Sequence, residues 1–343
     1  MTTEVLFELS GSLGVITLNR PEALNALTLG MAHAIEAKLL EWRSDAAVKS
    51  VAIRGAGRAF CAGGDIRALY DKGLAGEDYP YRFYHDEYRL NALIKHYPKP
   101  YIALLDGIVM GGGVGVSVHG SHRIVSENLR FAMPETGIGL FPDVGGAFFL
   151  SRCPGQLGVF LALTGTRISA ADALFCGIGT AFVPAEKFND LQTALSASGN
   201  VDAIIAGFTQ SPTDQPPLAP RRAQIDRIFA HNTVEQIITA LEREDDPWAA
   251  QIRATILSKS PVSSKVALRQ LREGAKLGFN ECMKMEYRLA NRFIEGRDFY
   301  EGVRATVIDK GQTPQWSPAT LDKISDAAVD AYFAPLQRPE LSL

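Results

Sequence analysis

The sequence predicts an α/β protein with a helical C-terminal region, on three observations. Short apolar strands alternate with amphipathic helical stretches through the first half of the chain. Two strands run straight into glycine-rich loops, FCAGGD at 60–65 and GIVMGGGVGVSVHG at 107–120. Beyond about residue 187 the segments become helical, as in TVEQIITALER and ECMKMEYRLANRFI, with the four-proline stretch SPTDQPPLAP at 211–220 read as a loop or hinge. With no clean internal repeat, the chain is expected to form a core over 1–200 and a helical region over 201–343 packed on it.

The elements follow in order. VLFEL and GVITLN are strands separated by the turn-like SGSL, and after RPEALNAL a helix is expected over 32–42. SVAIRG is a short apolar strand, GAGRAFCAGGD a loop, and 66–70 the start of a helix. Over 84–97 the pattern is helical, with Phe83, Glu87, Leu90, Ile94 and Tyr97 on one stripe. Spacing alone makes Glu87 an acid at the edge of that face, its head reaching water. PKPYIALLDG delivers a strand to Gly111, Gly112 and Gly113, and RIVSE and LRFAM are short apolar segments after them. GGAFFLSR, GVFLALTG and SAADALFCG read as successive short helices ended by glycines.

With 343 residues, 46% hydrophobic and 21% charged, the chain has ordinary globular composition. A net charge of −3 gives no general reason to expect nucleic acid or anionic lipid as a partner. Cys61, Cys153, Cys176 and Cys282 are far apart in sequence, with no pairing suited to a metal site, so free thiols in a reducing compartment are expected. The N-terminal stretch alternates like a strand rather than a targeting peptide. No apolar run reaches the ~20 residues of a membrane span. The expectation is a soluble, cytoplasmic protein.

Chemistry narrows to glycines and acids. Backbone N–H groups at the two glycine loops are two candidate donors for a developing oxyanion, against the plainer reading that glycine only permits close packing. A dinucleotide-binding turn is weak, lacking the acid-ended strand about 20 residues on, and no GxxxxGK[ST] occurs. Cys61, between Phe60 and Ala62, reads as a buried inert thiol, and His119 and His122 as structural or surface histidines. There is no GxSxG elbow. In AMPETGIGLFPDVGG, residues 132–146, Glu135 and Asp143 stand among apolar and glycine neighbours, where a carboxylate needs a partner or a purpose. Partial burial among Phe131, Met133, Ile138 and Leu140 should raise the pKa of Glu135.

RPEALNAL, FCAGGD, GGGVG and PETGIGLFPDVGG, in this order, resemble the crotonase or enoyl-CoA hydratase/isomerase superfamily, whose members bind acyl-CoA thioesters. The likeness to a hydrolase subfamily continues through SPVSSKVALRQL and MEYRLANRFIEGRDFYEGVRATVIDK and covers essentially the whole chain. It implies a crotonase-like spiral of repeated β-β-α turns with a C-terminal helical extension. It implies that the N–H groups of Gly64 and Gly112 form the oxyanion hole and that Glu135 is the acid nearest the reacting acyl carbons. Asp143 fits the hydrolase subfamily, and Glu87 matches one of its substrate-contacting acids, which moves that residue from the edge reading towards a functional one. Hydratases of the superfamily use a second glutamate two residues after the glycine triplet, and here that position is Gly115. The implied reaction is hydrolysis of a short 3-hydroxyacyl-CoA without metal or cofactor, coenzyme A being part of substrate and product. An enoyl-CoA isomerase or hydratase of the same superfamily, or a non-catalytic acyl-CoA-binding protein, is the rival. Many relatives are homo-oligomers, and the long C-terminal region could cover the same surface within one chain, so both assemblies stay open.

Overall fold

The structure, a computed structural model, describes residues 3–197 and 199–343. Two compact units alternate along the chain. The first holds the chain up to Asp65, Asp86–Ala132 and Arg167–Ala219; the second holds Ile66–His85, Met133–Thr166 and Pro220–Leu343.

All the strands of the described residues lie in the first unit. They are β1 (Val5–Ser10), β2 (Leu13–Leu18), β3 (Ser50–Gly55), β4 (Ala59–Cys61), β5 (Tyr101–Leu105), β6 (Ile108–Met110), β7 (His122–Val125), β8 (Arg130–Ala132) and β9 (Ala181–Phe182). β1 and β2 form an antiparallel hairpin, and β2, β3, β5, β7 and β9 continue the same sheet in parallel. β4, β6 and β8 form a second, parallel sheet. From β3 on, one strand therefore enters the first sheet, the next enters the second, and a helix follows. This is the repeated β-β-α order that the resemblance implies. Its strands in the first sheet start at Ser50, Tyr101, His122 and Ala181, too unevenly for a sequence repeat to show.

Register explains the apolar runs. Val15 pairs with Ala52, Ala52 with Ile102 and Ile102 with His122, so Val15, Ala52 and Ile102 stack on one face. Leu191, Leu195 and Ile205 join them in one core cluster. Ile16, Ile53 and Ala103, facing the other way, are also fully buried. A sheet covered on both faces needs strands apolar at every position, and β5, YIALL, is buried throughout.

The helices begin with α1 (Leu29–Ser44), α2 (Ile66–Leu74), α3 (Tyr79–Lys95), α4 (Gly112–Gly115), α5 (Gly146–Phe149), α6 (Leu157–Thr164) and α7 (Ala170–Phe175). From there the chain is helical, as expected: α8 (Phe188–Ser196), α9 (Val201–Phe208), α10 (Arg222–Phe229), α11 (Val234–Glu242), α12 (Pro247–Leu257), α13 (Pro261–Gly274), α14 (Phe279–Glu295), α15 (Arg297–Val303) and α16 (Asp326–Phe333). The proline-rich stretch is irregular up to a short turn at Ala219–Arg221. Three local expectations are corrected. The loop read over GAGRAFCAGGD contains β4, because AFC is apolar enough to pair with β6. α3 starts earlier than the stripe suggested and includes Pro80 in its first turn, where a missing N–H costs nothing. The run after the glycine triplet is a single helical turn.

Candidate functional site

The first unit brings together Gly64, Gly112 and Glu87. RPEALNAL fixes the loop that carries Gly64. Asn25 is fully buried with φ +58, accepts the N–H of Arg20 at 2.8 Å and donates to the carbonyls of Ala56 and Ala59 at 2.9 and 2.8 Å. Arg20 pairs with Asp65 at 3.3 Å. Leu27 N–H donates to Gly63 O and Asp65 N–H to Leu27 O, at 2.8 and 2.9 Å. Because the Gly63 carbonyl and the Asp65 N–H on either side of Gly64 are taken up on that edge, the Gly64 N–H points to the opposite one.

The three glycines of the triplet differ in purpose. Gly111, at φ +46, turns the chain out of β6. Gly112 is the first residue of α4, where helix geometry leaves the N–H without an intrahelical acceptor. A Cβ on Gly113 would strike Cys61 O at 2.4 Å, so that glycine permits close packing on β4. A Cβ on Gly112 would instead lie 2.6 Å from Glu87 Oε1 and 3.2 Å from Gly64 N. The two suspected oxyanion donors and the Glu87 carboxylate thus meet at one spot. Glu87 is 2% exposed, which corrects the edge position read from spacing: α3 is covered on that face. Cys61 is fully buried and its thiol is pushed up to about 12, mainly by desolvation, as an inert thiol should be. His119 is buried, and His122 pairs with Asp202 at 2.8 Å.

The second unit holds Glu135 and Asp143. Glu135 opens a single 3-10 turn, Glu135–Ile138, closed by Gly139 at φ +70. That turn is backed by the C-terminal helices. A Cβ on Gly139 would meet Asp298 O at 2.1 Å, and one on Gly302 would meet the Ile138 backbone at 2.4 Å. Ser260 N–H donates to Thr136 O at 3.1 Å, while its hydroxyl donates to Asp298 at 2.7 Å. Glu135 is 4% exposed, and its Oε2 is buried without a hydrogen-bond partner among the described residues. Burial first, and then the charge of Asp143, push its pKa well above the ordinary carboxylate value. The sequence anticipated the burial and missed the charge. Asp143 is also buried, and is followed by Val144 at φ +49 and Gly145 at φ +87.

Sequence reasoning also missed Glu286 of α14. It is fully buried, accepts the N–H groups of Gly145 and Ala147 at 2.7 Å each, and is raised to about 8 by burial despite those bonds. Its signal was present: Glu286 lies on the helical stripe of Cys282, Met283, Leu289 and Phe293, as Glu87 lies on that of α3. Among the described residues no group of three or more histidines, cysteines and acids is placed to hold a metal ion.

Two glycine N–H groups facing a buried acid, and a buried pair of acids in which Glu135 has a raised proton affinity, are parts suited to thioester chemistry. A family model described as enoyl-CoA hydratase/isomerase matches residues 13–333, and the chain belongs to that family. More particularly, it is 47% identical over 99% of its length to the mitochondrial 3-hydroxyisobutyryl-CoA hydrolase of Danio rerio, covering 92% of that protein. To the protein of the same name from Homo sapiens it is 44% identical, over 98% of this chain and 90% of that one. Among solved structures, a carnitinyl-CoA dehydratase from Mycobacterium thermoresistibile matches with TM-score 0.95 at 44% identity, over 99% of both chains. An enoyl-CoA hydratase from Rhodobacter sphaeroides matches with TM-score 0.90 at 39% identity, over 99% of this chain and 100% of that one.

The relatives correct one expectation. Those named hydrolases are named mitochondrial, against the cytoplasmic location read from the sequence. The four buried free cysteines suit any reducing compartment, so thiol usage could not separate the two. Among the described residues no helix is long and apolar enough to cross a membrane.

Proposed function

We propose that the chain hydrolyses 3-hydroxyisobutyryl-CoA to the free hydroxy acid and CoA. The observation that carries this reading is the buried pair Glu135 and Asp143, in a chain that has Gly115 where a hydratase would place its second glutamate. The names of the full-length relatives support it.

In the proposed reaction the thioester oxygen accepts from the N–H groups of Gly64 and Gly112. Glu135, made more basic by burial and by Asp143, takes a proton from water. The water oxygen bonds to the thioester carbon, and the carbonyl π pair moves to the oxygen held by the two N–H groups. Collapse re-forms the carbonyl, breaks the C–S bond and returns the proton from Glu135 to the CoA sulfur. In the alternative order Glu135 itself bonds to the thioester carbon, expels CoA as a mixed anhydride forms, and is regenerated by water. A single turnover in H₂¹⁸O separates them, since label retained in Glu135 marks the anhydride. Asp143 and Glu87 orient the substrate hydroxyl and the water. Both routes balance with water, thioester and side chains alone. Each oxyanion donor contributes ~3 kcal/mol in the transition state.

The solved relatives named dehydratase and hydratase favour a second reading, reversible hydration of an enoyl-CoA. Incubation with 2-enoyl-CoA separates the two. Loss of the enoyl absorbance with no thiol released supports hydration, whereas thiol release from the 3-hydroxyacyl-CoA with a stable enoyl signal supports hydrolysis.

A further inference from the structure

Asp143 sits in a turn that a free chain would avoid. Val144 is β-branched, and its φ of +49 places it in the left-handed region where such residues are outliers. A conformation of this kind persists only when its surroundings over-determine it. Two buried side chains from the C-terminal helices are among those surroundings. Glu286 on α14 receives the N–H groups of Gly145 and Ala147, and also the amide of Gln270 on α13 at 3.1 Å. Gln270 donates from the same nitrogen to Pro142 O at 2.7 Å. The chain is gripped immediately before Asp143 and again two and four residues after it. Glu286 and Gln270 are both fully buried.

From this geometry we infer that Glu286 is a positioning residue for the reaction: it holds the turn that aims Asp143, and it does so through Gly145 and Ala147 with Gln270 as its brace. The inference rests on the hydrolase reading for its catalytic consequence and on the hydrogen bonds alone for its structural one. A carboxyl group suits the task because both its oxygens can accept, the hydroxyl oxygen of the protonated form through its remaining lone pair. An amide at the same place offers one acceptor and presents a donor to the second N–H.

The test uses the full chain as wild type, Glu286→Gln, Glu286→Ala and Gln270→Ala. CoA release from 3-hydroxyisobutyryl-CoA gives kcat and KM, and amide hydrogen exchange gives the protection of Gly145 and Ala147. In Glu286→Ala both amides should exchange at least ~10-fold faster, and kcat should fall ~10- to 100-fold with KM within about threefold. Glu286→Gln should fall between wild type and Glu286→Ala in both readouts, and Gln270→Ala should move them in the same direction by less. Should Glu286→Ala not fold, Glu286→Gln and Gln270→Ala make the same comparison. Wild-type exchange at both amides in Glu286→Gln would overturn the inference, and so would a raised KM with unchanged kcat. If the wild-type protein released no CoA, the hydrolase reading would fall, while the exchange rates would still decide whether Glu286 holds the turn.

Discussion

At the scale of single residues, the two neighbouring glycines of the triplet should separate chemistry from folding. In Gly112→Ala the new methyl meets the end of the Glu87 side chain and crowds Gly64 N, so the fold should survive. The proposed oxyanion hole should not, and kcat should drop ~100-fold with a melting temperature near wild type. In Gly113→Ala the methyl meets the Cys61 backbone at 2.4 Å, which cannot swing aside. That variant should lose ~1–3 kcal/mol of stability by overpacking, read from a urea titration. A Gly113→Ala protein as stable as wild type would show that β4 and α4 are not packed as described. Glu87 marks what spacing can and cannot reveal. The stripe with Phe83, Leu90 and Ile94 placed it on the covered face of α3, but periodicity gives direction and not depth. Only neighbours distant in sequence bury its head.

At the scale of elements, the turn after Asp143 stores strain. Val144→Gly frees the positive φ but empties a fully buried position, so the fold should lose ~1–3 kcal/mol on balance, while the looser turn lowers kcat. Denaturant midpoint and steady-state kinetics check the two effects, and a variant as stable and as active as wild type would contradict both. Most strands and long helices were legible: SVAIRG is β3 residue for residue, and YIALL within PKPYIALLDG is the strand β5. What was illegible lies where tertiary contact decides. AFC is too short to announce β4 without β6 beside it. Glu286 declared itself only as one acid on an apolar stripe, since its partners Gly145 and Ala147 lie about 140 residues away. The likeness that extends through MEYRLANRFIEGRDFYEGVRA gains a physical reason from this packing. Glu286, Asp298 and Gly302 lie within it and back the turns of Glu135 and Asp143.

At the scale of the whole molecule, two buried acids with raised proton affinity tie stability to pH. Between the unfolded value near 4.5 and about 8, Glu286 holds a proton in the folded chain that the unfolded chain has lost. Glu135, also raised by burial and by Asp143, acts in the same direction. Stability should therefore be fullest below the unfolded value and decline as pH rises to 8, by up to ~1.4 kcal/mol per pH unit for each such group. Glu301, depressed to about 2 by Arg304, works in the opposite sense but only at lower pH. Urea midpoints from pH 5 to 8 should fall in the wild type and fall less steeply in Glu286→Gln; equal slopes would contradict the burial of that charge. The most direct measurement of the reaction itself is thiol release from 3-hydroxyisobutyryl-CoA by wild type, Glu135→Gln and Asp143→Asn. Steady CoA release is expected from the wild-type chain, reduced ~100-fold or more by Glu135→Gln and substantially by Asp143→Asn. No release above background by the wild type, or wild-type rates in both variants, would contradict it.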